Sequence, residues 1–205
     1  MSLPKSKATQ LSKLLSFTLR HGALEMKLPI RSDGYVNLDR ILQHNKFKQL
    51  NITLSDILEV VETNEKKRFE VTDIEGVKYI RAVQGHTIKQ VEDEELLTPI
   101  LNASEIALAA HGTYLRHMTA IQSTGLSRMN RKHIHMASSI NPGVVVSGAR
   151  NSAEVFIVIN VEKAIADGIL FYKSKNGVIL SPGKGSTGLI PPEYFSRIVH
   201  RRDLI

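Results

Sequence analysis

The apolar residues of this 205-residue chain change their spacing once, and that change limits the possible fold more than any other feature. Before residue 90 they recur at helical intervals. Leu11, Leu14, Leu15 and Leu19 share one face of a helix predicted over Lys7–Gly22, with Gly22 as its C-cap. Ser32-Asp33-Gly34 marks a turn, and Asn37 caps a short helix through Leu38, Ile41 and Leu42. Thr53 caps a third helix, predicted to bury Ile57, Leu58 and Val61. Beyond residue 100 short β-prone runs take over: Ile106–Ala110, His133–Ala137, Val144–Val146, Val155–Ile159 and Val178–Leu180. Ser147-Gly148, Asp167-Gly168, Asn176-Gly177 and Pro182-Gly183 break them, and helices fit Leu115–Ser123 and Val161–Asp167. The pattern predicts an α+β fold whose second half is built on a mostly antiparallel sheet.

Arg68–Thr72 and Val77–Val83 read as a hairpin around Asp73-Ile74-Glu75-Gly76. Three helices followed by a hairpin is the order of a winged helix, a unit that binds nucleic acid but also serves as a plain interaction module. The acidic run Glu92-Asp93-Glu94-Glu95 ahead of Pro99 reads as a linker or as the solvated first turn of a helix. The expected division is therefore a first lobe over 1–90, a linker over 91–100 and a second lobe over 101–205.

With 42% hydrophobic residues the chain has material for a real core. Its 27 Lys and Arg exceed 20 Asp and Glu, for a formal charge of +7. The excess is spread evenly, +4 over residues 1–87 and +3 over 88–205. Such a surface attracts phosphate-bearing partners, although an unspecialised basic surface explains the charge equally well. The absence of cysteine excludes disulfides, thiolate metal sites and cysteine nucleophiles. No apolar run approaches the ~20 residues of a membrane span, and Met1-Ser2-Leu3-Pro4-Lys5 lacks a secretory h-region. The expectation is an intracellular soluble protein, cytoplasmic or nuclear, with no membrane partner. Without an exposed heptad it is expected to be a monomer.

Several side chains are candidates for chemistry. Arg20-His21 ends the first helix, where the helix dipole alone accounts for a cation. Arg81 points away from the face shared by Ile80 and Ala82, close to Gln84-Gly85-His86. It is either a solvated strand arginine or a partner of Arg20 and His21 on a phosphate. In His111-Gly112-Thr113 the glycine permits close approach of a ligand and the flanking side chains suit ribose hydroxyls; an ordinary strand exit explains it too. In Arg131-Lys132-His133-Ile134-His135-Met136, His133 and His135 share a strand face. Zinc with His111 as third ligand is chemically allowed, but no carboxylate or thiolate stands nearby, and a polar pocket wall is the better reading. Ser147-Gly148-Ala149-Arg150 suits a phosphate clamp or a plain loop arginine. Pro182-Gly183-Lys184-Gly185-Ser186-Thr187-Gly188 lacks the glycine spacing and preceding strand of a P-loop.

The wording and order of these segments carry more than any one of them. Leu15-Ser16-Phe17-Thr18-Leu19-Arg20-His21 and Ile80-Arg81-Ala82-Val83-Gln84-Gly85-His86 resemble the first two signatures of the Tpt1/KptA family of RNA 2'-phosphotransferases. His111-Gly112-Thr113, Met129-Asn130-Arg131-Lys132-His133-Ile134-His135, Ser147-Gly148-Ala149-Arg150, Asn176-Gly177-Val178-Ile179-Leu180 and Gly188-Leu189-Ile190-Pro191-Pro192 follow in that family's order. The resemblance implies an N-terminal winged-helix lobe that holds RNA and a C-terminal lobe of the ADP-ribosyltransferase type that holds NAD. It implies Arg20, His21, Arg81 and Arg150 as the catalytic set. It places His111, Gly112, Thr113, Arg131, His133 and His135 at the NAD pocket, with no metal.

The implied reaction has two steps. An internal 2'-phosphate of spliced tRNA attacks the NAD ribose and expels nicotinamide, giving a 2'-phospho-ADP-ribosylated RNA. The adjoining ribose hydroxyl then takes the phosphate, releasing the RNA and ADP-ribose 1'',2''-cyclic phosphate. Two departures stand out. Thr87 replaces a frequent serine and keeps its hydroxyl, and Ala149 replaces a usual methionine, which loosens the packing expected beside Arg150. The rival readings are an ADP-ribosyltransferase that stops after the first step and a non-enzymatic winged-helix RNA-binding protein.

Overall fold

The computed structural model describes residues 3–92, 96–141 and 147–204. The chain divides into two compact units, Met1–Leu96 and Leu97–Ile205. The β-prone run Val144–Val146 and most of the acidic run at 92–95 lie outside the described residues.

In the first unit, helix α1 (Lys5–Phe17) buries Leu11 and Leu15 and runs directly into a π turn over Thr18–Gly22. The predicted helix therefore does not stop at a glycine cap. Gly22 keeps an ordinary negative φ, and Ala23 after it is still right-handed helical. What Gly22 provides is space, since a Cβ there would strike the Phe17 ring. Strand β1 (Val36–Asn37) leads into α2 (Leu38–Gln43), whose cap is the Asn37 side chain accepting from the Arg40 N–H at 3.1 Å. A one-turn helix α3 (Asn45–Lys48) follows, capped by the His44 side chain. Helix α4 (Leu54–Thr63) opens with a reciprocal capping box between Thr53 and Asp56. It buries Ile57 and Val60, while Leu58 and Val61 are half-buried. Strands β2 (Phe69–Ile74) and β3 (Val77–Ala82) form an antiparallel hairpin, and β1 pairs with the other side of β3. Leu19, Ile41, Phe47, Ile57 and Ile80 are fully buried in this unit.

The second unit is a set of antiparallel strands with two short helices. Its strands are β4 (Leu97–Ile100), β5 (Ala110–Thr113), β6 (Leu126–Ser127), β7 (Ile134–Met136), β8 (Val155–Ile159), β9 (Phe171–Ser174), β10 (Ile179–Ser181), β11 (Leu189–Ile190) and β12 (Phe195–His200). Helices α5 (Met118–Thr124) and α6 (Val161–Ala166) complete it. The strand orders are β4-β9-β10-β7, β12-β8-β5 and β11-β6. A bridge between Ala110 and Ala137 ties β5 to the end of β7.

Two expectations for this unit need correction. Leu97–Ile100, assigned to the linker, pairs with Phe171–Ser174 as an edge strand. Pro99 is tolerated because an edge strand has a side that donates to no neighbour. Ile106–Ala110 is not a strand until Ala110. Glu105 accepts from the Leu101 and Asn102 N–H groups at 2.8 and 2.7 Å, which winds the chain into a 3-10 turn over Ala103–Glu105. Val155–Ile159 is buried at all five positions, as a central strand with both faces covered must be.

Candidate active site

In the first unit Arg20 and His21 sit in the π turn. Such turns widen a helix by one residue and recur at functional sites. This one packs against β3, the strand that carries Arg81. The chain after β3 returns to the turn, where the Thr87 N–H donates to the Arg20 carbonyl at 2.9 Å. The Thr87 hydroxyl also donates to that carbonyl at 3.3 Å, so its oxygen accepts from Nδ1 of His21 at 3.0 Å. The hydroxyl that threonine shares with serine is therefore in use, orienting the imidazole.

Arg81 is not a solvated strand arginine. Its Nε and Nη2 donate to one oxygen of Glu70 at 3.1 and 2.9 Å, and its Nη1 donates to the Asp33 carbonyl at 3.0 Å. The guanidinium carbon lies 4.4 Å from the centre of the Tyr35 ring. Burial is the main cause of a raised Tyr35 pKa; Arg81 opposes it and the hydrogen bond from the tyrosine to Glu70 adds to it.

Arg150 belongs to the second unit, with the other candidates. On β5, Ala110 and Gly112 face one way and His111 and Thr113 the other. The space above Gly112 is filled by protein: a Cβ there would meet Ala153, Ala149 and Phe156 at 3.0, 3.1 and 3.2 Å. Gly112 thus admits the loop that carries Arg150. Ala149 packs in that loop against the Ala110, Ala153, Phe156 and Val158 cluster, so its short side chain is accommodated.

His111 donates from Nδ1 to the His135 carbonyl at 2.9 Å, and His135 from Nδ1 to the His133 carbonyl at 3.0 Å. His133 stands edge-on to Tyr172, with ring centres 5.7 Å apart. Desolvation pushes the His111 pKa down; the bond to His135 opposes this, and the charges of Arg131 and Arg150 lower it further. Arg131 in turn has its pKa lowered by partial desolvation and then by Arg150. Arg150 itself is exposed, 5.8 Å from the centre of the Tyr114 ring, whose hydroxyl bonds Ser152 at 2.9 Å. The turn after β9 reaches the same loop, with Asn176 Nδ2 donating to the Ser147 hydroxyl at 3.5 Å.

A neutral His111 whose Nδ1 is committed to a carbonyl presents Nε2 as an acceptor. Beside two guanidinium groups, it suits a ligand that carries both hydroxyls and negative charge. Among the described residues no group of three or more His, Asp or Glu side chains is placed to hold a metal. The described residues also contain no helix long and apolar enough to cross a membrane.

The depressed His111 pKa has a definite sign in stability. The unfolded chain takes up this proton first, near the ordinary value of about 6.5. The contribution of neutral His111 is thus complete above about pH 6.5 and is lost as pH falls toward the lower folded value. Denaturant titrations between about pH 5 and 7.5 are expected to show a steeper loss of stability in the wild type than in His111→Gln. Parallel curves would contradict the assignment.

Sequence reading did not single out Glu70, Asp33 and Tyr35 around Arg81, or Tyr114 and Ser152 beside Arg150. For Glu70 a signal exists in the hairpin. Glu75 and Gly76 both have positive φ, 54° and 80°. A two-residue loop of this kind sets the register that places Glu70 opposite Arg81.

Comparison with known proteins bears on these same segments. The sequence pattern described as RNA 2'-phosphotransferase, Tpt1 / KptA family, matches residues 6–183. A Schizosaccharomyces pombe relative is 44% identical over 197 residues, covering 95% of this chain and 52% of its own length. The chain thus spans about half of that relative. The tRNA 2'-phosphotransferase 1 of Danio rerio is 42% identical over 197 residues, covering 94% of this chain and 86% of that protein. The tRNA 2'-phosphotransferase of Saccharomyces cerevisiae is 36% identical over 201 residues, with 95% and 85% covered. The matched span runs from α1 through β10 and includes the π turn, the hairpin arginine and the Arg150 loop. By that match this chain belongs to the Tpt1/KptA family of RNA 2'-phosphotransferases.

Proposed function

We propose that this protein removes an internal 2'-phosphate from spliced tRNA and passes it to NAD, releasing nicotinamide and ADP-ribose 1'',2''-cyclic phosphate. What supports the second half of this reading is His111, whose Nδ1 is committed to the His135 carbonyl at 2.9 Å and whose pKa is lowered by burial and then by the charges of Arg131 and Arg150. A dinucleotide has the matching features, a pyrophosphate for the guanidinium groups and ribose hydroxyls for Nε2. When bound, NAD supplies a cationic leaving group and a ribose hydroxyl that accepts the phosphate. In this reading the first unit is a winged helix that holds the RNA and the second is of the ADP-ribosyltransferase type.

The chain's own contribution is charge and placement. Phosphoryl transfer gathers negative charge on the phosphate oxygens, and preorganised cations meet it without reorganisation. By the family resemblance, Arg20 and Arg81 of the first unit and Arg150 of the second are the candidate cations for this charge. His21, oriented through Nδ1 by Thr87, donates from Nε2 to the phosphate as the imidazolium. His133 and His135 line the NAD side with His111, Gly112, Thr113 and Arg131. RNA contacts fall mainly on the backbone and the branched phosphate, so little dependence on base sequence is expected.

The test is incubation of the protein with an internally 2'-phosphorylated oligonucleotide, with and without NAD, following both RNA and nucleotide. NAD-dependent loss of the phosphate together with the cyclic phosphate product is the expected result. An ADP-ribosyl adduct that persists on the RNA would point to a one-step transferase. Binding without any change in the RNA would overturn the enzyme reading.

A further inference from the structure

We infer that Glu70 is a positioning residue for Arg81, holding one edge of its guanidinium so that the other faces the RNA 2'-phosphate. This rests on the proposed role of Arg81 in the phosphate clamp. A cross-strand Glu–Arg pair is common on hairpins, and an exposed one stabilises little. Three observations set this pair apart. Both side chains are largely enclosed, with 16% and 21% of their surface exposed. Nε and Nη2 converge on the same Glu70 oxygen, while Nη1 is held separately by the Asp33 carbonyl. The Tyr35 ring covers one face of the guanidinium at 4.4 Å.

Glu70 and Asp33 together take three of the five guanidinium N–H groups. A flexible side chain is thereby fixed before substrate arrives, and the remaining two N–H groups are the ones a phosphate takes. Fixing an arginine in advance removes rotamer entropy that binding would otherwise have to overcome. The carboxylate has an opposite effect on ground-state binding, because its negative charge repels an incoming phosphate. The two effects separate in kinetics. Loss of Glu70 should leave affinity for 2'-phosphorylated RNA unchanged or tighter, yet slow turnover, since an arginine displaced by about 1 Å costs up to ~100-fold.

The experiment is a double-mutant cycle of Glu70→Ala and Arg81→Ala, with Glu70→Gln alongside. RNA affinity is measured without NAD and turnover with it. For Glu70→Ala, a fall in kcat of about 10- to 100-fold with no weakening of RNA affinity is expected. Glu70→Gln, which keeps an acceptor oxygen for Arg81, should recover most of that loss. In the Arg81→Ala background, Glu70→Ala should have no further effect on kcat. Wild-type turnover in Glu70→Ala, with Arg81→Ala impaired, would overturn the inference and leave the clamp standing. An equal fall in kcat in both backgrounds would show a merely structural role and overturn it as well. Wild-type turnover in Arg81→Ala would remove the clamp itself, and this inference with it. If Glu70→Ala does not fold, Glu70→Gln decides: affinity lost in step with kcat would count against positioning.

Discussion

Arg150→Ala is expected to lower turnover by about 10²- to 10³-fold, the loss typical of removing one preorganised donor to a developing anion. Stability should barely change. Arg150 is exposed and its guanidinium lies over the Tyr114 ring at 5.8 Å, so truncation opens no cavity. Exposed substitutions of this kind usually stay within about 0.5 kcal/mol. Activity and unfolding measured on the same preparation therefore separate a chemical role from a structural one. Full turnover in this variant would remove Arg150 from the clamp. A large drop in stability would show that the loop depends on the arginine for its own conformation.

Gly148→Ala should have the largest effect on the fold of the second unit. Gly148 has φ 92°, and a Cβ there would lie 2.5 Å from the Met136 carbonyl oxygen and 3.0 Å from the Ala137 nitrogen. That neighbour cannot yield. Ala137 exchanges both backbone hydrogen bonds with Ala110, at 2.8 and 3.0 Å, so moving it would break the link between β7 and β5. Left-handed backbone at a non-glycine residue costs about 1–2 kcal/mol, and overpacking adds about 1–3 kcal/mol. The expected destabilisation is on the order of 2–5 kcal/mol, accompanied by lost activity as the Arg150 loop is displaced. Gly168→Ala is the control: φ is 82° but nothing lies within 4 Å of the added methyl, so only the backbone cost applies. Equal destabilisation by the two substitutions, read from denaturant unfolding, would show that the Met136 contact is unimportant.

Elements whose ends are marked by local chemistry were legible in the sequence. Asn37 and Thr53 accept from N–H groups three residues ahead, so the cap and the helix are encoded in one short stretch. Val155–Ile159 is an uninterrupted apolar run, and it is the central strand. Strands β9 and β12 carry no such mark. Tyr172 is half-buried and Lys173 exposed between buried Phe171 and Ser174, and β12 is an edge strand with a bulge between Phe195 and Arg197. Their partners, β4, β10 and β8, are separated from them by loops or whole elements, and pairing at that distance is not a local pattern. The site divides in the same way. Asp73-Ile74-Glu75-Gly76 marked the hairpin, but the pairing of Glu70 with Arg81 needed the two-residue turn at Glu75-Gly76 that the structure shows. The approach of Arg131 and Arg150 to His111 depends on three separate segments, and only a family resemblance could associate them.

Lys184 shows how far a surface residue's chemistry can depart from its accessibility. It stands in the glycine-rich run after β10, where a lysine invites assignment to a bound phosphate, and 44% of its side-chain surface is exposed. Its ammonium donates instead to the Tyr194 hydroxyl at 2.6 Å and to Glu193 at 3.4 Å, and the Tyr194 hydroxyl donates to Asp167 at 2.9 Å. The bond to Tyr194 is the leading cause of a raised Lys184 pKa, which leaves less of the free amine at neutral pH. Acylating reagents and acetyl donors attack through that amine, so Lys184 is a poor nucleophile despite its exposure. Its modification would disturb the anchorage of a buried tyrosine before it altered any ligand contact.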